Sequence, residues 1–245
     1  MRHMPCKKLV IVGVSTGGPR ALRQLFTGMP RLEAGIILVQ HMPKFINDSF
    51  QRTLDALTEM DVVIAQDGSR IDAGTVYLAP SDVHLELINN QRIRLADGPK
   101  VCFVKPSIDV TMLSARHRDD QELAAVVLTG MGRDGADGIR HIKRIGGVTF
   151  AQDARSCAVY GMPKAAAETG AVDFVLSPEG IRDHLIEWAE TAPRADQARL
   201  CQTQPPAIGL RRVAVEGNVG AGAGVALRGY CGAHVGPSDK RESQA

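Results

Sequence analysis

Ser15 sits in Gly13-Val14-Ser15-Thr16-Gly17, between an apolar run at 9–12 and Gly18-Pro19. A hydroxyl flanked by glycines at such a junction suits two chemistries. The backbone N–H groups of the turn could cradle a phosphate. Alternatively, the turn could be a sharp strand-to-helix elbow that exposes the serine as a nucleophile. The spacing argues against phosphate. Gly13-x-Ser15-x-Gly17-Gly18 is not GxGxxG, no GxxxxGK[ST] occurs, and the second apolar run ends in Gln40-His41, where a dinucleotide site needs a carboxylate for ribose. G-x-S-x-G does fit the elbow. A helix starting beyond it would aim unpaired N–H groups and a positive dipole at the place where an oxyanion forms. The same serine could also be a simple helix cap.

A serine nucleophile needs a base and an acid to orient that base. His41 follows the apolar run at 35–39, and Asp134 lies in Thr129-Gly130-Met131-Gly132-Arg133-Asp134-Gly135 after the run at 123–128. Reactive groups of open parallel sheets gather at the carboxyl ends of strands. Ser15, His41 and Asp134, each beyond such an end, make a charge-coupled triad in the order Ser, His, Asp. That is not the Ser, Asp, His order of α/β-hydrolases. Other readings remain open on spacing alone. His41 could be a solvated loop residue and Asp134 the cap of the next helix. His84, His117 and His141 are rival bases: His84 follows Pro80-Ser81-Asp82 near the same rim, whereas His141 falls seven residues past Asp134 and reads as packing or surface. Asp137 and Asp109 are rival acids, but both fall inside helices rather than at a strand mouth.

The elements that must position these residues follow from apolar patterning. Continuous apolar runs at 9–12, 35–39, 62–64, 75–79, 123–128 and 148–151 read as buried strands. Helical spacing appears at 19–27, 47–57, 107–115, 135–145, 163–169 and 178–190. Asn89-Asn90 between 84–88 and 92–95 reads as a hairpin turn. Buried strands alternating with helices predict a doubly wound, mostly parallel α/β sheet with helices on both faces, a three-layer α/β/α arrangement with a small β-hairpin insertion.

With 245 residues, 44% of them hydrophobic, the chain can bury a sizeable core. A net charge of +2 and 4% aromatics give neither the field nor the stacking surface of a nucleic-acid binder. No apolar run is long enough to span a membrane, and MRHMPCKK lacks the apolar stretch of a secretory signal, so a cytoplasmic location is expected. Five scattered cysteines with no CxxC read as reduced thiols, and the histidines show no metal-ligand spacing, so no metal is expected. Residues 1–7 form a short lead and 8–190 one catalytic domain. Residues 191–245 hold 8 of the 25 glycines and read as a flexible tail. The tail carries 7 Lys or Arg against 4 Asp or Glu, so the slight basicity of the chain resides there rather than in the domain.

The stretches IVGVSTGGPRAL, ILVQHMPKFINDSF, VYLAPSDVHLEL, VKPSIDVTMLSA, VVLTGMGRDGADGI and AQDARSCAVYGMPKAA occur in that order over about residues 8–185. Together they resemble the catalytic domain of the chemotaxis protein-glutamate methylesterases (CheB type). The resemblance implies a doubly wound α/β domain with Ser15, His41 and Asp134 as its triad and the backbone N–H groups of Thr16 and Met131 as oxyanion donors. It implies hydrolysis of glutamyl methyl esters on cytoplasmic helices of chemoreceptors, in some members also deamidation of receptor glutamines, with no metal or cofactor. The same fold acting as an esterase or amidase on a non-receptor substrate is the alternative. The family usually places a phosphorylatable receiver domain first, and only about eight residues precede the first strand here. The expectation is therefore a stand-alone esterase domain, open at all times or controlled by a separate regulatory chain.

Overall fold

The structure, a computed structural model, describes residues 6–191. The expected lead is described only from residue 6, and the expected tail from residue 192 on lies outside the described residues. Seven strands form one wholly parallel sheet. They are β1 (Lys8–Val14), β2 (Gly35–Gln40), β3 (Asp61–Ile64), β4 (Thr75–Leu78), β7 (Glu122–Val127), β8 (Val148–Gln152) and β9 (Phe174–Leu176). The hairpin β5 (His84–Ile88) and β6 (Arg92–Ala96) stands apart as a two-stranded antiparallel sheet. Asn89 and Asn90 close it with φ of 51° and 55°, the left-handed pair that a two-residue turn requires.

The sheet order is β3-β4-β2-β1-β7-β8-β9: from β1 the chain steps to β2, out to the edge at β3 and back to β4, then crosses to β7 and winds outward through β8 and β9. Every residue of β1 is buried. Alternation along the strand divides the core. Val10, Val12 and Val14 pack with α1 (Gly18–Phe26), α2 (Asn47–Asp55) and α6 (Pro178–Glu190). Leu9 and Ile11 pack with α3 (Ile108–Ser114), α4 (Ala136–Arg144), α5 (Met162–Glu168) and the hairpin. This is the expected three-layer arrangement. Among the described residues no helix is long and apolar enough to cross a membrane.

Two elements go beyond the expectation: a 3-10 turn at Lys44–Ile46 and the edge strand β9. The first strand also begins one residue early, at Lys8, which is 2% exposed. Burial lowers the pKa of its ammonium, yet the group keeps partners. It donates to the carbonyls of Trp188 and Thr191, lies 3.6 Å from Glu122 and sits 5.0 Å from the centre of the Trp188 ring. It ties the end of α6 to the amino-terminal edge of the sheet, opposite the edge where Ser15 lies.

Candidate active site

β1 lies between β2 and β7, where the winding reverses, and in open α/β sheets the ligand crevice opens at that switch point. Val14 pairs with Gln40 and Gly13 with Val127. Ser15 and His41 therefore leave neighbouring strands at the same level, and the loop carrying Asp134 leaves the strand on the other side of β1. The His41 N–H donates to the Val14 carbonyl at 3.0 Å, and the Ser15 N–H to the Thr129 carbonyl at 3.0 Å.

The serine turn depends on close backbone approach. Gly17 has φ 83°, and a Cβ there would lie 2.4 Å from Ala158 Cβ. A Cβ on Gly18 would lie 2.0 Å from Gln40 Oε1. Gln40 is 3% exposed, and its Nε2 donates to the Ser15 carbonyl at 3.1 Å and the His41 carbonyl at 2.9 Å. One amide thus holds the two loops together. Gln40 carried a sequence signal for this role: a glutamine ending an otherwise apolar strand.

His41 Nε2 lies 3.0 Å from Asp134 Oδ2. Asp134 does not cap the helix after it, whose N-cap is Gly135 without a side-chain bond. Its carboxylate instead meets the start of α3. Oδ1 accepts from Ser107 Oγ at 2.8 Å and the Asp109 N–H at 3.0 Å, and Oδ2 from the Ile108 N–H at 2.7 Å. Burial pushes the Asp134 pKa up, but His41 and these donors outweigh it and hold the group below its ordinary value. An ionised Asp134 accepts a proton-bearing Nε2, which leaves Nδ1 of the neutral imidazole with a free lone pair. Among the described residues Ser15 Oγ makes no hydrogen bond, so serine and histidine share the rim without being bonded to each other.

Asp109 is closer to the site than its position inside a helix suggested. It is 5% exposed, its N–H binds Asp134, and its Oδ1 accepts from the Gly138 N–H at 2.7 Å. Burial raises its pKa to about 6 against the lowering effect of Gly138, and the Asp134 charge adds to the rise. Cys102, Asp109 and Asp134 can each bring one ligand atom within 4.8 Å of the others. Both Asp134 oxygens already accept two hydrogen bonds each, which makes them poor metal ligands.

The rival histidines serve structure. His84 is buried, accepts from the Ser107 N–H at 3.2 Å and contacts the Pro99 carbonyl at 2.9 Å. His141 bonds the Ala115 carbonyl and Arg144, and His117 is exposed beside Asp119. Asp137 lies in the first turn of α4, paired with Arg140 and Arg133.

The N–H groups of Thr16 and Met131 have no acceptor among the described residues, which leaves both free to donate. Thr129 holds their loops in place. It is 1% exposed, and its Oγ1 donates to the Thr16 carbonyl at 2.9 Å and accepts from the Val159 N–H at 3.0 Å. Its own N–H binds Gln152 Oε1 at 2.8 Å. Neither Thr129 nor Gln152 had a local signature in the sequence.

The sequence profile of the family described as CheB methylesterase matches residues 10–185. A relative from Pyrococcus horikoshii, named protein-glutamate methylesterase/protein-glutamine glutaminase, is 41% identical over 191 residues, 76% of this chain and 52% of the relative. One of the same name from Haloarcula marismortui is 42% identical over 187 residues, 74% of this chain and 51% of the relative. The crystal structure of the Thermotoga maritima CheB methylesterase catalytic domain matches with a TM-score of 0.68 at 38% identity, over 74% of this chain and 98% of that one. The chain thus spans about half the length of the curated relatives it matches.

Proposed function

The chain belongs to the CheB methylesterase family, and on that premise we propose that it is a serine hydrolase removing methyl esters from glutamate side chains of chemoreceptors. Ser15 Oγ attacks the ester carbonyl while His41 Nδ1 takes its proton. Asp134 keeps the imidazole in the required tautomer and stabilises its cation. The Thr16 and Met131 N–H groups hold the oxyanion, and losing one such donor typically costs about 10²–10³ in rate. His41 returns the proton to the departing methanol, then activates a water that releases the acyl group from Ser15. A glutamine side chain would react by the same steps with ammonia leaving, in keeping with the second activity in the relatives' names.

The observation that carries this reading is the 3.0 Å His41–Asp134 contact at the mouth of the strand that presents Ser15. The experiment is methanol release from membranes containing methylated chemoreceptors, wild type against Ser15→Ala. Release that vanishes in the variant supports the reaction and the nucleophile together. No release by wild type overturns the substrate, and equal release by both overturns the nucleophile.

A further inference from the structure

The rim of the site carries bulky apolar side chains that the fold leaves in water. Phe45 is 85% exposed and Phe103 95%, in a chain with six phenylalanines. Both stand beside the site. Phe45 lies in the 3-10 turn that follows His41. Phe103 is at the tip of a turn closed by hydrogen bonds between Val101 and Val104, with left-handed φ at Cys102 and at Phe103 itself. The Cys102 thiol reaches within 4.8 Å of an Asp134 carboxylate oxygen, so this tip stands next to the His41–Asp134 pair. Tyr160, 36% exposed, bridges Gly130 beside Met131. Exposed apolar groups gathered in one place mark contact surfaces, whereas single scattered ones do not.

A groove of about 400 Å³ lies between α1 and α2 and takes in Ile46, the residue after Phe45. Ile46, Phe50, Leu54 and Leu57 give it apolar lining, and Arg20 and Arg23 stand on its wall. Among the described residues Arg20, Arg23 and neighbouring Lys44 have no carboxylate within ion-pair distance. Asp48, in the first turn of α2, is the nearby acid in sequence. An apolar cleft between two helices with unpaired cations beside it fits an amphipathic helix that also carries carboxylates.

We propose that the α1–α2 groove and the Phe45–Phe103–Tyr160 rim form the docking surface for an acidic amphipathic helix of the protein substrate, delivering one of its side chains to Ser15. This rests on the proposed esterase function and adds where, and by which residues, the substrate is held. Recognition is then separate from bond cleavage: the rim sets KM for the protein substrate and leaves small esters unaffected.

The test compares Phe45→Ala, Phe103→Asn (which tolerates the left-handed backbone) and the double variant Arg20→Glu/Arg23→Glu. Methanol release from methylated receptor membranes is measured beside hydrolysis of p-nitrophenyl acetate. Each variant is expected to lose about tenfold in kcat/KM on receptors, through KM, with the small ester within about twofold of wild type. Unchanged receptor KM in all variants, or a parallel loss on both substrates, would overturn the proposal. Binding of a fluorescein-labelled amphipathic helical peptide bearing glutamates, measured on Ser15→Ala protein, needs no turnover. Weakening of about tenfold by the two arginine changes supports docking even if wild type releases no methanol. Equal affinity in both proteins sinks the surface while leaving the esterase reading intact.

Discussion

Replacing Gln40 by Leu tests whether one buried amide aligns the proposed nucleophile and base. The change keeps the apolar bulk and removes two hydrogen bonds, to the Ser15 carbonyl at 3.1 Å and the His41 carbonyl at 2.9 Å. The Ser15 carbonyl keeps a second donor, the Gly18 N–H at 2.9 Å. The His41 carbonyl has no other among the described residues. Each lost bond costs about 0.5–1.5 kcal/mol net, and an orphaned buried carbonyl up to about 3. Against this, Gln40 Oε1 is itself buried without a partner, and leucine removes that penalty. The net loss is about 1–2 kcal/mol, a few degrees in melting temperature for a domain of this size. The catalytic loss should be larger, because a misplacement of about 1 Å at reacting groups costs about 10²-fold. The assay pairs thermal melting with kcat on a small ester, where docking plays no part. The expected result is kcat down about a hundredfold with KM nearly unchanged and a modest fall in melting temperature. If kcat stays within about threefold of wild type while stability falls, Gln40 is only a packing residue and the alignment argument fails.

Further expectations concern the supports of the site. Asp109 has its pKa raised to about 6, so the folded chain holds that proton more tightly than the unfolded one. Its contribution therefore makes stability fall as pH rises from about 4 to about 6, and Asp109→Asn should remove that slope in urea midpoints taken across the range. Gly17→Ala combines φ 83° with a Cβ 2.4 Å from Ala158, whereas at Gly28, with φ 74°, nothing lies within 4 Å. Melting should show Gly28→Ala costing about 1 kcal/mol with activity kept and Gly17→Ala costing more with activity lost. Lys8→Met leaves the Trp188 and Thr191 carbonyls without their ammonium donor and should cost about 1–3 kcal/mol. Hydrogen exchange should report the loss at the end of α6, with turnover unchanged because the site lies at the opposite edge of the sheet.

Much of the fold was legible because buried parallel strands and amphipathic helices write themselves in adjacent residues. Leu9 to Val12 needs no partner to be recognised as a strand. β9 escaped because Phe174, Val175 and Leu176 are only three residues on an edge, with Phe174 and Val175 left exposed. Phe174 gains its place by stacking on Phe150 at 5.3 Å, a contact between elements that no local pattern announces. Strand ends likewise brought Ser15, His41 and Asp134 to one rim. The contacts that support them were hidden for the same reason as β9: Asp134 reaches back to 107–109 and Gln40 to the serine turn, across separations that carry no period.

These supports explain how a buried acid stays ionised while the loops of the site stay in register. Asp134 is 3% exposed, and burial alone would favour its neutral form, which could not stabilise an imidazolium. The start of α3 answers that with two backbone N–H groups and a serine hydroxyl, donors fixed by the helix geometry itself. Gln40 holds the other side of His41, through its backbone, to the turn that carries Ser15. The ring of His41 is thus held at Nε2 by Asp134, and its backbone by Gln40. None of these bonds involves Phe45, Phe103, Arg20 or Arg23, so changes on the proposed docking surface are expected to leave the His41–Asp134 pair intact, with turnover of a small ester as the check.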